Sequence, residues 1–394
     1  METKKKINLL QNKKIAIIGG GPGGLTLARL LQRKGLDVKV YERDENRNVR
    51  LQGATLDLHF KSGLKALESA GLMDAFKENY RPDNDRYRIV DKNGALFVDD
   101  HDKESTGAFD DEGFRPEIDR GPLRDILLNS LQPDTVVWDS HIISLENKDD
   151  QWEIIFKNGQ TATADLVIGA DGANSKIRPF VTPIKPVYSG VIYLVSNILE
   201  AEKNTPKLYE FVKGGKILAM DDSKTLFLSE KGDGSLDVYI GFKASDNWAL
   251  ESDIDLKNVK EVSEWFKEEY KGWDNFWMEL FEQQQTEFLA RPLYGMPLDQ
   301  KWETQNNVTL LGDAAHLLPP NGEGVNSAML DALILSENLT SGAFKDLKAA
   351  IADYEEQMFA RFASEGKETA EMMDFMYSPD GLKIMIAMFN ELPN

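Results

Sequence analysis

The sequence predicts an α/β protein with two interleaved domains, and three observations support this fold class. Residues 15–41 read as a βαβ unit: a short apolar strand, a glycine-rich turn, a helix and a second strand. Residues 186–250 alternate between apolar and polar positions, as strands of a sheet do. On either side of that β-rich segment, at 166–172 and 308–316, an apolar strand runs into a turn that pairs aspartate with glycine.

Because the β-rich segment interrupts the α/β layer, we expect the first domain to be discontinuous. It is predicted to comprise residues 1–75, 101–185 and 286–330. The second domain comprises 76–100 and 186–285, and a C-terminal helical segment, 331–394, bridges the two. Within the second domain we expect a hairpin around Asn93-Gly94 and strands at VIYLVSNIL, KLYEFV, KILAMDD, KTLFLSE and LDVYIGF.

Composition narrows the class of protein. The 394 residues carry a formal net charge of −20, which argues against nucleic acid or an anionic membrane as a main partner. With no cysteine, disulfides, thiolate nucleophiles and cysteine zinc sites are excluded. No apolar run approaches membrane-spanning length, and the N-terminus lacks the apolar region of a signal peptide. We expect a cytoplasmic monomer without stable membrane association.

The first turn fits the pattern G-x-G-x-x-G, with Gly19, Gly21 and Gly24 between a strand and a helix. Such glycines permit a tight turn and let a pyrophosphate approach the backbone at the helix N-terminus. Glu42 ends the next strand, where a carboxylate accepts both hydroxyls of an adenosine ribose and disfavours a 2′-phosphate. The motif predicts dinucleotide binding, and both NAD and FAD remain open.

The two further aspartate turns favour a longer ligand than NAD. Asp171 and Asp313 each follow a strand, and the ribityl chain of FAD carries hydroxyls that need acceptors. Asp313 precedes a helical pattern, so a helix N-cap is the competing interpretation; the two roles are compatible. His316 is expected to fix this turn.

The motifs GGGPGG, ADGANSKIR and GDAAHLLPPNGEGVN together resemble the class A flavoprotein monooxygenases, the family of para-hydroxybenzoate hydroxylase. The segments TLDLH, LRDILLNSL and GVNSAMLDALILSENL are similar to its tetracycline-inactivating branch. This resemblance implies a Rossmann-like FAD-binding domain of the GR2 type with an inserted β-sheet substrate domain and a C-terminal helix. It implies FAD contacts by Gly19, Gly21, Gly24, Glu42, Arg43, Asp57, Arg120, Arg124, Asp171, Asp313, Gly322, Gly324, Val325 and Asn326.

The resemblance also implies the reaction. NADPH, or NADH, docks transiently and reduces the flavin, and O2 then forms a C4a-hydroperoxide that hydroxylates a polycyclic, phenolic or enolic small molecule. No catalytic side chain and no metal are expected. Arg50 matches the position that contacts NADPH, although an exposed arginine without a role is an equal interpretation. Tetracycline inactivation, and with it antibiotic resistance, is one possible function.

On the substrate side, the resemblance points to Phe227, Val195, Lys216 and Asp237, and two further candidates are the aromatic Tyr239 of the β-rich segment and Asn321 of the loop PPNGEGVN. Val195, Lys216 and Asp237 replace the polar anchors of the tetracycline enzymes, so we expect tetracycline to be a poor substrate. The loop PPNGEGVN is one residue shorter than the family pattern. The methionine-rich C-terminus either closes the substrate domain or forms a lid. A reductase without oxygen insertion and a non-catalytic flavin-binding protein are the alternative functions.

Overall fold

A computed structural model describes residues 9–49, 55–82, 84–101, 108–282 and 287–391. Its strands, in chain order, are β1 (Ile15–Ile18), β2 (Val38–Tyr41), β3 (Leu56–Asp57), β4 (Tyr87–Val90), β5 (Leu96–Asp99), β6 (Glu117–Ile118), β7 (Val136–Val137), β8 (Ile142–Lys148), β9 (Gln151–Phe156), β10 (Thr161–Ala164), β11 (Leu166–Gly169), β12 (Val187–Ile198), β13 (Lys216–Asp221), β14 (Lys224–Glu230), β15 (Leu236–Lys243), β16 (Leu289–Gly295) and β17 (Val308–Leu310).

The α-helices are α1 (Pro22–Arg33), α2 (Lys65–Ala70), α3 (Met73–Lys77), α4 (Arg120–Asn129), α5 (Arg178–Val181), α6 (Ala201–Asn204), α7 (Pro206–Val212), α8 (Trp248–Glu251), α9 (Val259–Glu269), α10 (Asp313–His316), α11 (Gly324–Thr340), α12 (Leu347–Met376) and α13 (Gly381–Glu391). A π-helical turn, Phe60–Leu64, precedes α2, and a 3-10 helix spans Asn275–Phe281. No helix among the described residues is long and apolar enough to cross a membrane.

The first sheet is parallel and has the strand order β17-β11-β1-β2-β7. Strands β1, β11 and β17 are buried at every position, as expected for a parallel sheet covered by helices on both faces. The carboxyl ends of parallel strands meet at one edge. The three glycine or aspartate turns and Glu42 follow four neighbouring strands, so they are brought together at that edge.

The second sheet has the order β16-β12-β15-β14-β13-β4-β5 and is antiparallel except for the β13–β4 pair. One face packs against α7, α9 and the 3-10 helix through an aromatic core that includes Phe266, Tyr270 and Trp277. The other face carries the predicted substrate residues. The expected hairpin at Asn93-Gly94 joins β4 to β5. The α/β fold class, with its β-sheet insertion and helical C-terminus, is confirmed.

Two segments differ from the sequence prediction, one in secondary structure and one in the sheet to which it belongs. The prediction of a strand at KLYEFV is wrong: these residues form α7, which Pro206 opens and Lys213, at φ 53°, ends. Leu208 and Val212 are four residues apart, so the helix places both on one buried face. Strand β16, which falls within the range 286–330 expected in the first domain, pairs with β12 and extends the second sheet.

Helix α12 contacts both domains. Its first half packs Ile351, Tyr354 and Met358 into the core around the parallel sheet. Its last turn, together with α13, packs Met376 and Met385 against the second sheet.

We predict that Tyr354→Phe lowers the free energy of unfolding by about 1–3 kcal/mol, because it removes a buried hydrogen bond. The Tyr354 hydroxyl is fully buried and donates to the carbonyl of Leu310 at 2.8 Å, directly before the third turn. Urea denaturation measures the change. Tyr80→Phe is the control, since the Tyr80 hydroxyl has no hydrogen bond to a described residue. Equal stability of Tyr354→Phe and the wild type would contradict the prediction.

Candidate cofactor and substrate site

The first turn, between β1 and α1, is packed tightly except at one glycine. A Cβ atom on Gly19, which has φ +112°, would lie 2.3 Å from the carbonyl oxygen of Ala170 in the second turn. A Cβ on Gly24 would lie 2.2 Å from the Gly19 oxygen. A Cβ on Gly21 would meet no atom within 4 Å. The backbone at Gly21 therefore faces open space at the N-terminus of α1, where a phosphate can approach.

Glu42 is buried at the end of β2 and is fixed by the backbone. One carboxylate oxygen accepts from Gly20 N at 2.6 Å and the other from Asp44 N at 3.0 Å. Each oxygen has a second lone pair, so the carboxylate can still accept ribose hydroxyls. Arg43 is exposed beside it.

Arg178 joins the second turn to the third. Its buried guanidinium donates to the carbonyl of Ala173 at 3.0 Å, and also to those of Asp313 and Ala314, each at 2.8 Å. Asp171 accepts from Lys176 N at 2.6 Å and so shapes the second turn. The sequence analysis did not select Arg178, although it stands in the motif ADGANSKIR; an arginine after such a turn was the available signal.

Asp331, on α11, holds the third turn from its other side. Its fully buried carboxylate accepts from Gly312 N at 2.9 Å and pairs with His316 at 2.5 Å and Arg361 at 2.6 Å. Burial alone would lower the pKa of His316, but the Asp331 carboxylate raises it above its ordinary value. Burial alone would raise the pKa of Asp331, but its contacts with His316 and Arg361 lower it below its ordinary value. The pair of His316 and Asp331 therefore fixes the turn, and Asp331 is a residue that sequence reasoning missed.

Asp313 is left available by this arrangement. Gly312, not Asp313, is the N-cap of α10, and the Asp313 carboxylate makes no hydrogen bond to a described residue. Burial raises the pKa of Asp313, whereas His316, Arg120 and Arg178 lower it. Because the Asp313 side chain is exposed, it lines the cleft at this edge of the sheet and does not fill a core position.

The loop before α11 presents bare backbone to the same cleft. Gly322, at φ +86°, and Gly324 are both exposed, and half-buried Val325 follows in the first turn of α11. A Cβ on Gly324 would lie 3.9 Å from Asp313 Oδ1, and one on Gly322 would lie 3.8 Å from Asp57 Oδ1. The two glycines thus leave the backbone on either side of Glu323 open, next to the carboxylates of Asp313 and Asp57.

Asn326 holds this loop in place with its side chain. The amide oxygen accepts from His59 N at 2.9 Å, and the amide nitrogen donates to the carbonyl of Asp57 at 2.9 Å. Asn321 donates to Thr369 Oγ1 on α12 at 2.7 Å. These two asparagine side chains are engaged by the protein, so Asn326 can offer a cofactor only its backbone.

The two predicted arginines of α4 differ in their surroundings. Arg124 is buried and donates to Asp44 Oδ2 at 3.1 Å and to the carbonyl of Arg47 at 3.2 Å, so it lies beside the segment that follows Glu42. Arg120 begins α4, and Tyr239, Asp313 and Asp237 act on its charge, which places it at the cleft. Burial and the like charge of Arg291 lower the pKa of Arg120.

Five of the predicted substrate residues lie on one face of the second sheet. Directly paired residues of neighbouring strands share a face, and Tyr239 pairs with both Val195 and Phe227. The ring centroids of Phe227 and Tyr239 are 5.9 Å apart. This face carries the predicted residues Val195, Phe227, Tyr239, Lys216 and Asp237, together with Tyr193 and Arg291.

Polar residues on this face are partly engaged with the protein. Lys216 forms an ion pair with Glu117 of β6, and Asp237 accepts from Asn197 at 2.8 Å. Burial raises the pKa of Asp237. The guanidinium of Arg291 has neither a hydrogen bond nor an ion pair with a described residue. Arg50, the predicted contact for NADPH, lies outside the described residues.

Together these groups fit FAD, a dinucleotide long enough to extend from Glu42 to the glycine loop. The space in front of Gly21 suits a pyrophosphate, the Asp313 carboxylate suits ribityl hydroxyls, and the bare loop suits the edge of a flat ring. When bound, FAD supplies the redox chemistry, and these residues hold and orient it.

We predict that Gly21→Ala weakens FAD binding at least about tenfold, because the new methyl group projects into the space reserved for phosphate. The apoprotein should keep its stability to within about 0.5 kcal/mol, since that methyl group meets no protein atom. Fluorescence quenching of FAD and thermal melting measure the two effects. Gly24→Ala is the matched comparison and should destabilise the apoprotein itself. Unchanged FAD affinity in Gly21→Ala would contradict the assignment.

Comparison with known proteins agrees with this geometry. Residues 12–120 match the family model described as FAD binding domain. The chain is 30% identical over 378 residues to Monooxygenase asqM of Emericella nidulans, and the match covers 83% of each protein.

Two solved structures share the fold. The structure of Klebsiella pneumoniae HpxO with FAD and uric acid superposes with a TM-score of 0.77 at 21% identity, covering 98% of this chain and 94% of that one. Tetracycline destructase Tet(51) superposes with a TM-score of 0.69 at 21% identity, covering 97% and 99%. With the relative at 30% identity and the three turns that converge on one cleft, the chain belongs to the class A FAD-dependent monooxygenases.

Proposed function

We propose that this monooxygenase uses NADPH or NADH and O2 to hydroxylate an electron-rich, ionisable polycyclic, phenolic or enolic small molecule. The observation that carries the proposal is the face of the second sheet, where aromatic rings lie next to arginines opposite the Asp313 turn. Arg50 supports NADPH only through the family resemblance.

The aromatic side chains favour a flat substrate. Tyr193 and Tyr239 have ring centroids 6.0 Å apart, and Tyr87 and Phe227 are 6.4 Å apart. Rings at such spacings offer faces and edges to a planar ligand, and each carries a large apolar area. Val195, half-buried on the same face, adds apolar surface.

The cations favour an ionised substrate. Arg120 and Arg291 act on each other electrostatically across the cleft, and Arg291 is not neutralised by a described carboxylate. Nearby positive charge lowers the pKa of a phenol or enol and stabilises its anion. Because an anion donates electron density more readily than its neutral form, such a site promotes attack on an electrophilic oxygen.

Shielding from water is the remaining task of the protein. Tyr377, at the end of α12, is buried and its hydroxyl lies 2.9 Å from Thr225 Oγ1 on β14. Met376 and Met385 pack beside it and cover the apolar end of the same sheet face. We propose that this helical segment closes the substrate domain, because a site that excludes water prevents loss of a reactive intermediate.

Tetracycline fits this face less well than a smaller phenol or enol. Lys216 is bound to Glu117 and Asp237 to Asn197, so these side chains would have to break contacts to bind the many polar groups of that antibiotic. The chain shares its fold with Tet(51), but a shared fold does not provide side chains that bind the polar groups of tetracycline. We propose that tetracycline is a poor substrate.

The function is tested with the FAD-loaded enzyme, NADPH, ¹⁸O2 and a panel of polyphenols, hydroxyquinolones and tetracycline. We expect at least one ionisable phenol or enol to gain a single ¹⁸O atom in the product, with oxygen uptake that matches product formation. Mass spectrometry measures the label. Product formation without ¹⁸O would identify a reductase, and the absence of NADPH oxidation under every condition would leave a non-catalytic flavin-binding protein.

We predict that Arg291→Gln raises the KM of the ionised substrate by about 10–100-fold, which corresponds to the loss of one charge-assisted hydrogen bond of about 1.5–3 kcal/mol. The content of bound FAD should stay the same. Lys157→Gln, an equal change of charge on an exposed residue after β9, is the control. An unchanged KM in Arg291→Gln would refute the anionic subsite.

A further inference from the structure

His59 lies between two carboxylates, one on each ring nitrogen. Its Nε2 is 2.8 Å from Asp57 Oδ2, and its Nδ1 is 3.1 Å from Glu323 Oε2. Ionised carboxylates only accept hydrogen bonds, and the imidazolium form, with an N–H group on each ring nitrogen, serves both of them. The two carboxylates therefore favour His59 as a cation, whereas Arg115 Nη1, which can only donate, lies 3.2 Å from the same Nε2.

This cation connects the end of β3 to the loop that faces the flavin site. Glu323 stands between Gly322 and Gly324, the two exposed glycines of that loop. The backbone of Glu323 is also held from the other side, because Glu323 N donates to Asn321 Oδ1 at 2.9 Å. Asn321 is in turn tied to α12 through Thr369. The loop is thus fixed to α12 on one flank and to His59 on the other.

The backbone of His59 is itself fixed. His59 N donates to Asn326 Oδ1 at 2.9 Å, and Leu64 N donates to the His59 carbonyl at 3.1 Å. The ring has little freedom to move away from Glu323, since only 13% of the side chain is exposed. A rigidly placed cation of this kind orients its partner, and Glu323 orients the loop.

The other charged groups around His59 shape its titration. Arg115 Nη1 lies 3.2 Å from His59 Nε2 and 4.0 Å from Asp57, and Lys216 acts on Asp57 from the second sheet. On the outer side, His59 borders a cavity of about 310 Å³ whose charged lining is Lys61, Glu112, Arg115, Glu323 and Glu365. Lys61 and Glu112 pair with each other at 2.5 Å.

We propose that His59 is a positioning residue: as an imidazolium it holds Glu323, and through Glu323 it sets the backbone amides of residues 322–326 against the flavin ring. Neither the resemblance nor the reaction of the family assigns this role to His59 or Glu323. The proposal requires FAD binding by this chain and is independent of which substrate is hydroxylated.

The sign of the pH dependence follows from the charge. Burial alone would lower the pKa of His59, but hydrogen bonds and charge from Asp57 and Glu323 raise it from 6.5 to about 9. The stabilisation is fully present below pH 6.5 and is lost as the pH rises through about 9. The loop should therefore loosen at alkaline pH in the wild type and not in a variant that lacks the imidazole.

The test compares FAD affinity of the wild type, His59→Gln and Glu323→Gln across this pH range, measured by quenching of FAD fluorescence. Near pH 6.5 we expect each variant to bind FAD about tenfold more weakly, and the double variant to bind no more weakly than either single one. The ratio of wild-type to variant affinity should fall toward one above about pH 9. Ionisation of FAD itself is common to all the proteins and cancels in this ratio.

Hydrogen exchange of the FAD-free proteins gives a second, independent readout. Amides of residues 322–326 should exchange faster in both variants than in the wild type near pH 6.5. His101→Gln is the matched control, because His101 also pairs with a carboxylate, Asp99 at 2.8 Å, but lies next to β5 in the other sheet. It should leave FAD affinity and exchange in the loop unchanged.

Three results would overturn the proposal. One is that Glu323→Gln binds FAD as tightly as the wild type. Because the Glu323 side chain is partly exposed, this substitution should not impair folding. Another is a ratio of wild-type to His59→Gln affinity that does not change with pH. The third is strict additivity of the two substitutions, which would mean that His59 and Glu323 act separately.

Discussion

The buried carboxylate of Asp331 is the interaction on which the site depends most. It has no exposed surface, and it receives the Gly312 amide, His316 and Arg361 at 2.9, 2.5 and 2.6 Å. Breaking a buried charge network by removing one partner typically costs about 3–5 kcal/mol, because the remaining charges stay buried and unpaired. This network fixes the turn after β17 without using Asp313. Asp313 is therefore left to line the cleft. The sequence alone also allowed Asp313 to be a helix N-cap, a position that Gly312 takes in the structure.

The turns form one rigid edge because they hold one another. Arg178 bonds from the second turn to two carbonyls of the third, and Gly19 packs directly against Ala170 of the second. The four strands that lead into this edge are neighbours in a parallel sheet, so small shifts of one turn would be felt by the next. In a protein with a net charge of −20, Arg120 and Arg291 place positive charge in the cleft beside the carboxylates of Asp313 and Asp237.

The features that the sequence predicted are those that form a short local motif or a periodic pattern. The turn glycines, Glu42, Asp313 and the β-rich insertion all follow from short motifs and periodicity, and the structure places them at one cleft. The sequence did not predict contacts between distant segments. Asp331 lies 19 residues after Gly312, to which it is hydrogen-bonded, and Asn326 is hydrogen-bonded to His59, which is 267 positions away. Such pairs leave no local signal. KLYEFV is too short for its pattern to separate a helix from a strand, and Pro206 before it is the signal of a helix start.

The central claim is that one FAD molecule is held by all three turns and by the loop before α11. Hydrogen exchange of the protein with and without FAD tests it most directly. The account predicts that saturating FAD protects amides in four segments together, 19–24, 171–178, 312–316 and 322–326, with a single midpoint near one FAD per chain. Protection confined to the first segment would show a nucleotide held at that turn alone and would contradict the account.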